Sequence, residues 1–189
     1  MVKLEFNKNI MVDKKKIEKL AKIIVNYSLE VKEGEKVLLK GYGFDSYPLI
    51  KEIYRECLRA GALEVAVRFS TSELGRIFME EASEKQLTNL GPLEKKVAAS
   101  YDAMVQIVAD ENRYELTDVD PAKMQMSRKA GKPISDILHQ KKWCLFYYPT
   151  VASAAVAKRN VEEWEDFVLD SCLLDWKKVE KLEIKLFPA

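Results

Sequence analysis

The sequence predicts an α/β fold: a mostly parallel sheet of about four or more strands with helices on both faces, in a Rossmann-like arrangement. Amphipathic segments of helical length alternate with short apolar segments along the chain. The segment 103–109 reads AMVQIVA, a mostly apolar run that is typical of a strand buried on both faces. Helices that connect such strands favour right-handed crossovers, and these crossovers place the strands parallel.

The first predicted elements are a helix, a strand and a second helix. Apolar residues recur at helical spacing over 13–29, and an apolar strand follows over 37–40. A second helix is expected over 46–60 because Ser46 can act as its N-cap and Gly61 supplies a left-handed stop. This order gives the first unit of an alternating α/β fold.

The later elements continue the alternation, with one helical region that Gly131 and Pro133 are expected to kink or divide. The predicted strands are 63–69, 103–109 and 143–147, and the predicted helices are 72–81, 83–90, 93–100, 120–139, 151–158, 161–172 and 176–186. No internal repeat or low-complexity segment interrupts this pattern.

The composition excludes several function classes. Lys+Arg 31 against Asp+Glu 30 gives a net charge of +1, so no overall attraction to nucleic acid or to an anionic membrane is expected. No apolar stretch is long enough for a signal peptide or a membrane span, which favours the cytoplasm. Cys57, Cys144 and Cys172 are widely spaced in apolar runs, a pattern that favours reduced core residues over a disulfide or a metal site.

The residues that follow the predicted strands are the first candidates for chemistry, because ligands of open α/β sheets bind beyond the carboxyl ends of the strands. After the first strand, Gly41, Gly43 and Asp45 match two glycines of a dinucleotide-binding fingerprint and an acceptor. Ser46 stands where the third glycine would be, and an ordinary tight turn is the favoured interpretation. These three residues are therefore weak candidates for a ligand site.

After the third strand, Asp110, Glu111 and Asn112 form a cluster of oxygen acceptors that could hold a hard cation or a ligand amine. Adjacent positions on a regular element point apart, so a solvated turn is the favoured alternative. The cluster completes the set of weak candidates, and no catalytic residue and no metal ligand is predicted.

The other chemically suggestive residues have simpler interpretations. His139 is the only histidine, which excludes two-histidine metal sites within one chain, and it is expected to end a helix. The aromatic residues Trp143, Phe146, Tyr147 and Tyr148 could form a stacking platform, but core or interface packing is favoured because no basic patch accompanies them.

Short segments shared with one protein family occur in order along the chain. They are VKEGEKVL (31–38), RAGA (59–62), YDA (101–103), VDP (119–121), YPT (148–150) and LLD (173–175). In the order and spacing of these segments, residues 13–175 resemble the N-terminal domain of the metal-dependent aminopeptidases of the aminopeptidase T and aminopeptidase S (thermophilic aminopeptidase) type.

The resemblance implies an exopeptidase family that removes N-terminal amino acids from peptides with two divalent metals of the zinc, cobalt or magnesium class. In that family the metal ligands, which are Glu, His and Asp, lie in a second domain that follows this one. No catalytic residue is carried over to a position in this sequence, and no cofactor is expected in the chain itself.

Three segments are therefore expected: an N-terminal extension (1–12), the α/β domain (13–175) and a helical tail where the resemblance fades (176–189). The expected function is that of an N-terminal, non-catalytic domain, whether as a fragment, a truncated product or an independent domain. The expected partners are the missing C-terminal catalytic domain or a homologous chain, with formation of a homo-oligomer. The alternative is a stand-alone module for small-molecule or nucleotide binding, or for regulatory oligomerisation, without peptidase activity.

Overall fold

The computed structural model describes residues 13–89 and 92–186. The predicted N-terminal extension lies outside the described residues, as do the last three positions of the predicted tail. The described residues form an α/β fold with one four-stranded sheet and helices packed on both of its faces, as the sequence predicts.

All neighbouring strands of the sheet are parallel, and their order is β2-β1-β3-β4. The strands are β1 (Lys36–Tyr42), β2 (Glu64–Ser70), β3 (Ala103–Val108) and β4 (Lys142–Tyr147). The two central strands, β1 and β3, contribute fully buried side chains on the face that carries Leu39 and Val105, which lie opposite each other in register. β2 and β4 are the edge strands.

Helices alternate with the strands along the described chain. They are α1 (Lys14–Ile23), α2 (Tyr47–Arg59), α3 (Ser72–Glu81), α4 (Glu84–Thr88), α5 (Pro92–Ser100), α6 (Pro121–His139), α7 (Val151–Val156), α8 (Val161–Cys172) and α9 (Trp176–Leu186). A π-helical turn (Ile24–Ser28) extends α1, and a 3-10 turn (Phe44–Ser46) precedes α2. None of the helices in the described ranges has both the length and the apolarity that crossing a bilayer requires.

Two hydrophobic cores hold the helices against the sheet. The larger core packs α1, α2 and α8 on one face, where Ile53 of α2 and Leu169 of α8 are buried with Leu39. The smaller core packs α5 and α6 on the other face, where Leu138 is buried with Met104. Burying a leucine or methionine side chain contributes roughly 1.5–3 kcal/mol, so both faces stabilise the sheet.

Two local predictions about helices need correction: the Ser46 cap is wrong, and of the expected kink or division at Gly131 and Pro133, the division is wrong. The Ser46 side chain makes no capping bond to α2, because its hydroxyl instead donates to the carbonyl oxygen of Gly43 at 2.6 Å. The helix α6 is not divided at Gly131 and Pro133 but continues through both residues. Packing of its inner side in the smaller core offsets the bond that proline removes.

The aromatic residues of β4 are distributed over both faces of the sheet. Phe146 packs against the larger core and Tyr148 is buried, as predicted for core packing. Trp143 and Tyr147 lie on the opposite face, where they are 47% and 63% exposed. Core packing is therefore confirmed for Phe146 and Tyr148, while interface packing stays a prediction for Trp143 and Tyr147, because successive strand residues face opposite sides.

Candidate functional site

The candidate site lies at the carboxyl edge of the sheet. β2 and β3 flank β1 on opposite sides, so the strand order reverses between β1 and β3. At such a switch point the loops after the two central strands diverge and leave a crevice. The loops after β1, β3 and β4 meet there, and they begin at Gly43, Ala109 and Tyr148 respectively.

Both glycines of the β1 segment are required by packing. Gly43 has φ of 78°, and a Cβ atom there would lie 2.0 Å from the carbonyl oxygen of Ala109. Gly41 lies inside β1, where a Cβ atom would lie 2.3 Å from the Phe69 ring. The close approach of the β1 and β3 loops therefore explains Gly43, and the aromatic ring of β2 explains Gly41.

The backbone amides of the β1 loop already have partners inside the protein. The Gly43 N–H donates to the carbonyl oxygen of Ser70 at 2.9 Å. The Phe44 N–H donates to Oε1 of Glu111 at 3.1 Å, so a carboxylate occupies the place that a phosphate would need. Burial, and then the neighbouring Glu111, raises the pKa of the Asp45 carboxyl. The dinucleotide interpretation of this loop has no support in this geometry.

The β3 loop is folded on itself and tied to α3. The Asn112 side chain donates to Oε2 of Glu115 at 2.8 Å and accepts a hydrogen bond from the Tyr114 N–H at 3.0 Å. Arg76 of α3 donates to both carboxylate oxygens of Asp118, each at 2.8 Å. These hydrogen bonds lower the pKa of Asp118 to about 2. These contacts connect the β3 loop to α3.

The β4 loop completes the edge through Thr150, which is 1% exposed. Its hydroxyl donates to the carbonyl oxygen of Asp110 at 2.8 Å, which ties the β4 loop to the β3 loop. Thr150 and Ser153 also form a reciprocal capping box at the start of α7. The Trp164 indole N–H donates to the Ser153 hydroxyl at 3.0 Å, so α8 is attached to the same point.

Two adjoining cavities open between these loops, and both are lined by Asp110 and Arg113. The first, of about 270 Å³, is lined by polar groups that include Tyr42, Asn112 and Glu115. The second, of about 480 Å³, is mostly apolar. Its further walls are Val108, Tyr147, Tyr148, Pro149, Thr150, Ser153, Val156, Ala157, Trp164 and Val168.

The sequence model of the thermophilic metalloprotease (M29) family matches residues 13–181. The chain belongs to this thermophilic metalloprotease family. No curated protein matches the chain. Among solved structures, that of wild-type AmpT from Thermus thermophilus is similar, with a TM-score of 0.68 and 17% sequence identity. At this identity the likeness establishes the fold. The match covers 85% of this chain and 43% of that chain, so this metalloprotease-family chain spans less than half of its relative.

The side chains of this M29 chain do not fit the metal centre that the family name implies. Within residues 13–89 and 92–186, no three His, Cys, Asp or Glu residues converge on a common point that could hold an ion. The single histidine, His139, ends α6 just before β4 begins, and it therefore lies at the amino edge of the sheet. The acceptor cluster at 110–112 is separated by its own contacts: Glu111 bonds the β1 loop, and Asn112 bonds its own loop.

The predicted site residues divide into two groups. Asp110 and Asn112 line the polar cavity. The remaining four residues line neither cavity and instead shape the sheet edge around the polar cavity. They are Gly41, Gly43, Asp45 and Glu111. Sequence reasoning did not single out Arg113 or Thr150. The Thr150 cap could have been found, since Thr is one of the residue types preferred at a helix N-cap.

A buried polar group lies behind the apolar cavity. Tyr148 is 3% exposed and Glu165 of α8 is 7% exposed, and within the described structure the Tyr148 hydroxyl and one Glu165 carboxylate oxygen have no hydrogen-bond partner. Burial, and then Asp166, raises the pKa of Glu165 to about 7. Burial, followed by the charges of Glu165 and Asp45, also raises the pKa of Tyr148. These two buried groups without hydrogen-bond partners therefore destabilise the fold, by an amount that depends on pH.

Proposed function

We propose that this chain is an N-terminal, non-catalytic domain of a metalloaminopeptidase, located in the cytoplasm. In the whole enzyme, two divalent metals of the zinc, cobalt or magnesium class would be held by residues outside this domain. Membership in the thermophilic metalloprotease family supports the assignment to a metallopeptidase. The three free cysteines fit a reducing compartment.

The observation that carries the proposal is that the described side chains do not form the metal centre that the family name implies. Metal-assisted hydrolysis of a peptide bond needs several carboxylate or imidazole ligands around a shared ion. In the part of the chain that the structure describes, such ligands do not converge. The loops at the carboxyl edge instead form a cleft, which consists of the two adjoining cavities that Asp110 and Arg113 both line. The charges of these residues could orient a ligand.

Hydrolysis of a leucyl anilide by the 189-residue chain tests the proposal. The assay contains added zinc or cobalt, and a parallel sample contains a chelator. We expect no metal-dependent hydrolysis, so the rates measured with and without the chelator should be equal. Chelator-sensitive turnover would contradict the proposal, because it would require a metal site assembled from this chain, within one copy or between two copies.

We further propose that β4 contacts the catalytic part of the enzyme or a homologous chain, including a second copy of this one. Trp143 and Leu145 face outward on this edge strand and are 47% and 41% exposed. Adjacent large apolar side chains on an exposed strand face are typical of an interaction surface. The relative is more than twice as long as the segment matched here, which leaves ample chain to cover this face.

Sedimentation of the chain at several concentrations tests the self-association part of this proposal. We expect association for the native sequence and a shift towards monomer for the Trp143→Ser, Leu145→Ser double variant. Leu63→Ser is the matched control, because Leu63 is 71% exposed and lies at the opposite edge beside β2. A native chain that stays monomeric at all concentrations would contradict self-association.

A further inference from the structure

The cleft contains two opposite charges that are not used inside the protein. Among the described residues, the Arg113 guanidinium makes no ion pair and no hydrogen bond, and the Asp110 carboxylate accepts none. Both residues line both cavities, yet their side chains do not pair with each other. The Asp110 backbone carbonyl accepts a hydrogen bond from Thr150, which anchors the backbone from which the carboxylate extends. Two unpaired charges of opposite sign are complementary to a zwitterion.

The polar cavity favours the positive end of such a ligand. Asp110 and Glu115 line it, and Glu111 lies close to it. The Tyr42 phenol in its wall has a raised pKa, first because of burial and then because of the charge of Asp110. An ammonium group would therefore enter this cavity, and Arg113 at its margin would bind a carboxylate.

The apolar cavity has the size and lining for a large apolar side chain. Its volume of about 480 Å³ lies within the usual range for small-molecule pockets. Tyr147 and Val156, which line it, are 63% and 54% exposed, and the Trp164 indole N–H is bonded to Ser153. An apolar group that enters here would cover these side chains. Because Asp110 and Arg113 join the two cavities, one ligand can reach all three features.

We propose that this cleft binds a free α-amino acid with a large apolar side chain. The ammonium group contacts Asp110 in the polar cavity, the carboxylate pairs with Arg113, and the side chain enters the cavity between Tyr147 and Trp164. This binding does not rest on the proposed aminopeptidase function, because it uses only residues of this chain and involves no bond cleavage. The proposal assigns an amino-acid ligand to the carboxyl edge of the sheet, where the amides of the β1 loop are not free to bind a phosphate.

Calorimetric titration of the full chain with three related compounds tests the proposal. L-leucine carries both charges, N-acetyl-L-leucine lacks the ammonium group, and L-leucinamide lacks the carboxylate. We expect L-leucine to bind and each of the other two to bind about tenfold more weakly or worse, since a hydrogen bond to a charged group is lost. No binding of L-leucine, or equal binding of either analogue, would overturn the proposal.

Single charge removals assign the binding to this cleft. Arg113→Gln and Asp110→Asn should each weaken L-leucine binding by about tenfold without changing the melting temperature, because neither side chain has a partner to lose. Arg128→Gln and Glu81→Gln are the matched controls, since neither residue lines either cavity. If the cleft variants bind L-leucine as tightly as the controls do, the site is elsewhere and the proposal fails.

Discussion

The hydroxyl of Thr150 donates a hydrogen bond to the backbone carbonyl oxygen of Asp110 over 2.8 Å, 40 positions away in the chain. This bond joins the loops that follow β3 and β4, which are neighbouring strands. Thr150 is fully buried, and the bond is partly buried, so removal of the hydroxyl would take away the protein partner of this carbonyl oxygen. The position of the Asp110 carboxylate in the cleft therefore depends on a residue of another loop.

Replacement of Thr150 tests this dependence. Thr150→Val should lower the free energy of unfolding by about 2 kcal/mol, because it removes both the helix cap and the hydrogen bond to the Asp110 carbonyl. Thr150→Ser keeps the hydroxyl and should be closer to the native protein. Urea unfolding of the three proteins measures the effect, and equal stability of the valine and native proteins would contradict this role.

Two glycines with similar φ angles should respond differently to substitution. Gly34 has φ of 83° and open space where a Cβ atom would lie, with no atom within 4 Å, whereas a Cβ atom at Gly43 would meet the Ala109 carbonyl oxygen at 2.0 Å. Gly34→Ala should cost roughly 1–2 kcal/mol for the left-handed conformation alone. Gly43→Ala should cost clearly more, because backbone atoms must also move. Equal losses in urea unfolding would show that the two loops are not in contact.

The buried carboxyl of Glu165 should make stability depend on pH. Its pKa is about 7 in the folded protein against an ordinary value of 4.5, chiefly because of burial. The neighbouring charges that raise it further are Asp166, Asp45 and Glu162, while Lys16 lowers it. Between these two pH values the folded state keeps a proton that the unfolded state has lost. The free energy of unfolding contributed by this group therefore falls as pH rises from about 4.5 to about 7.

Glu165→Gln removes this dependence while it keeps the shape of the side chain. The variant should match the native protein near pH 4.5 and become increasingly more stable than it up to pH 7, with a constant difference above that value. Urea unfolding at a series of pH values measures this difference. Glu163→Gln, at an exposed position on the same helix, is the control for the loss of one carboxylate. A flat difference for Glu165→Gln would mean that the buried carboxyl does not titrate in this range.

Most of the fold could be predicted because its signals are local. The apolar run of β3 and the left-handed Gly61 after α2 each mark an element in the sequence, and both predictions are confirmed. Features that depend on distant partners were missed. β1 extends to Tyr42 because Gly41 and Tyr42 pair with residues of both β2 and β3, and the pattern of one strand does not contain this information.

Little of the cleft could be predicted because it is formed by residues that are far apart in sequence. The sequence directs attention to Asp110 and Asn112 because they follow a strand, and the structure places both on the polar cavity. It does not show that Arg113 lies beside Tyr147 and Trp164, which come from β4 and α8. Helix and strand periodicity describes each element by itself, so contacts between loops at the sheet edge are not encoded in it.

Metal binding by the 189-residue chain tests most directly whether residues outside this domain hold the metals of the enzyme, because it does not depend on the choice of substrate. Equilibrium dialysis against zinc and against cobalt, followed by metal analysis of the protein, should find no stoichiometric metal. The melting temperature should not rise when either metal is added, because an ion that does not bind the folded chain cannot stabilise it. Two tightly bound metal ions per chain, with a matching rise in melting temperature, would contradict the assignment of the metals to residues outside this domain.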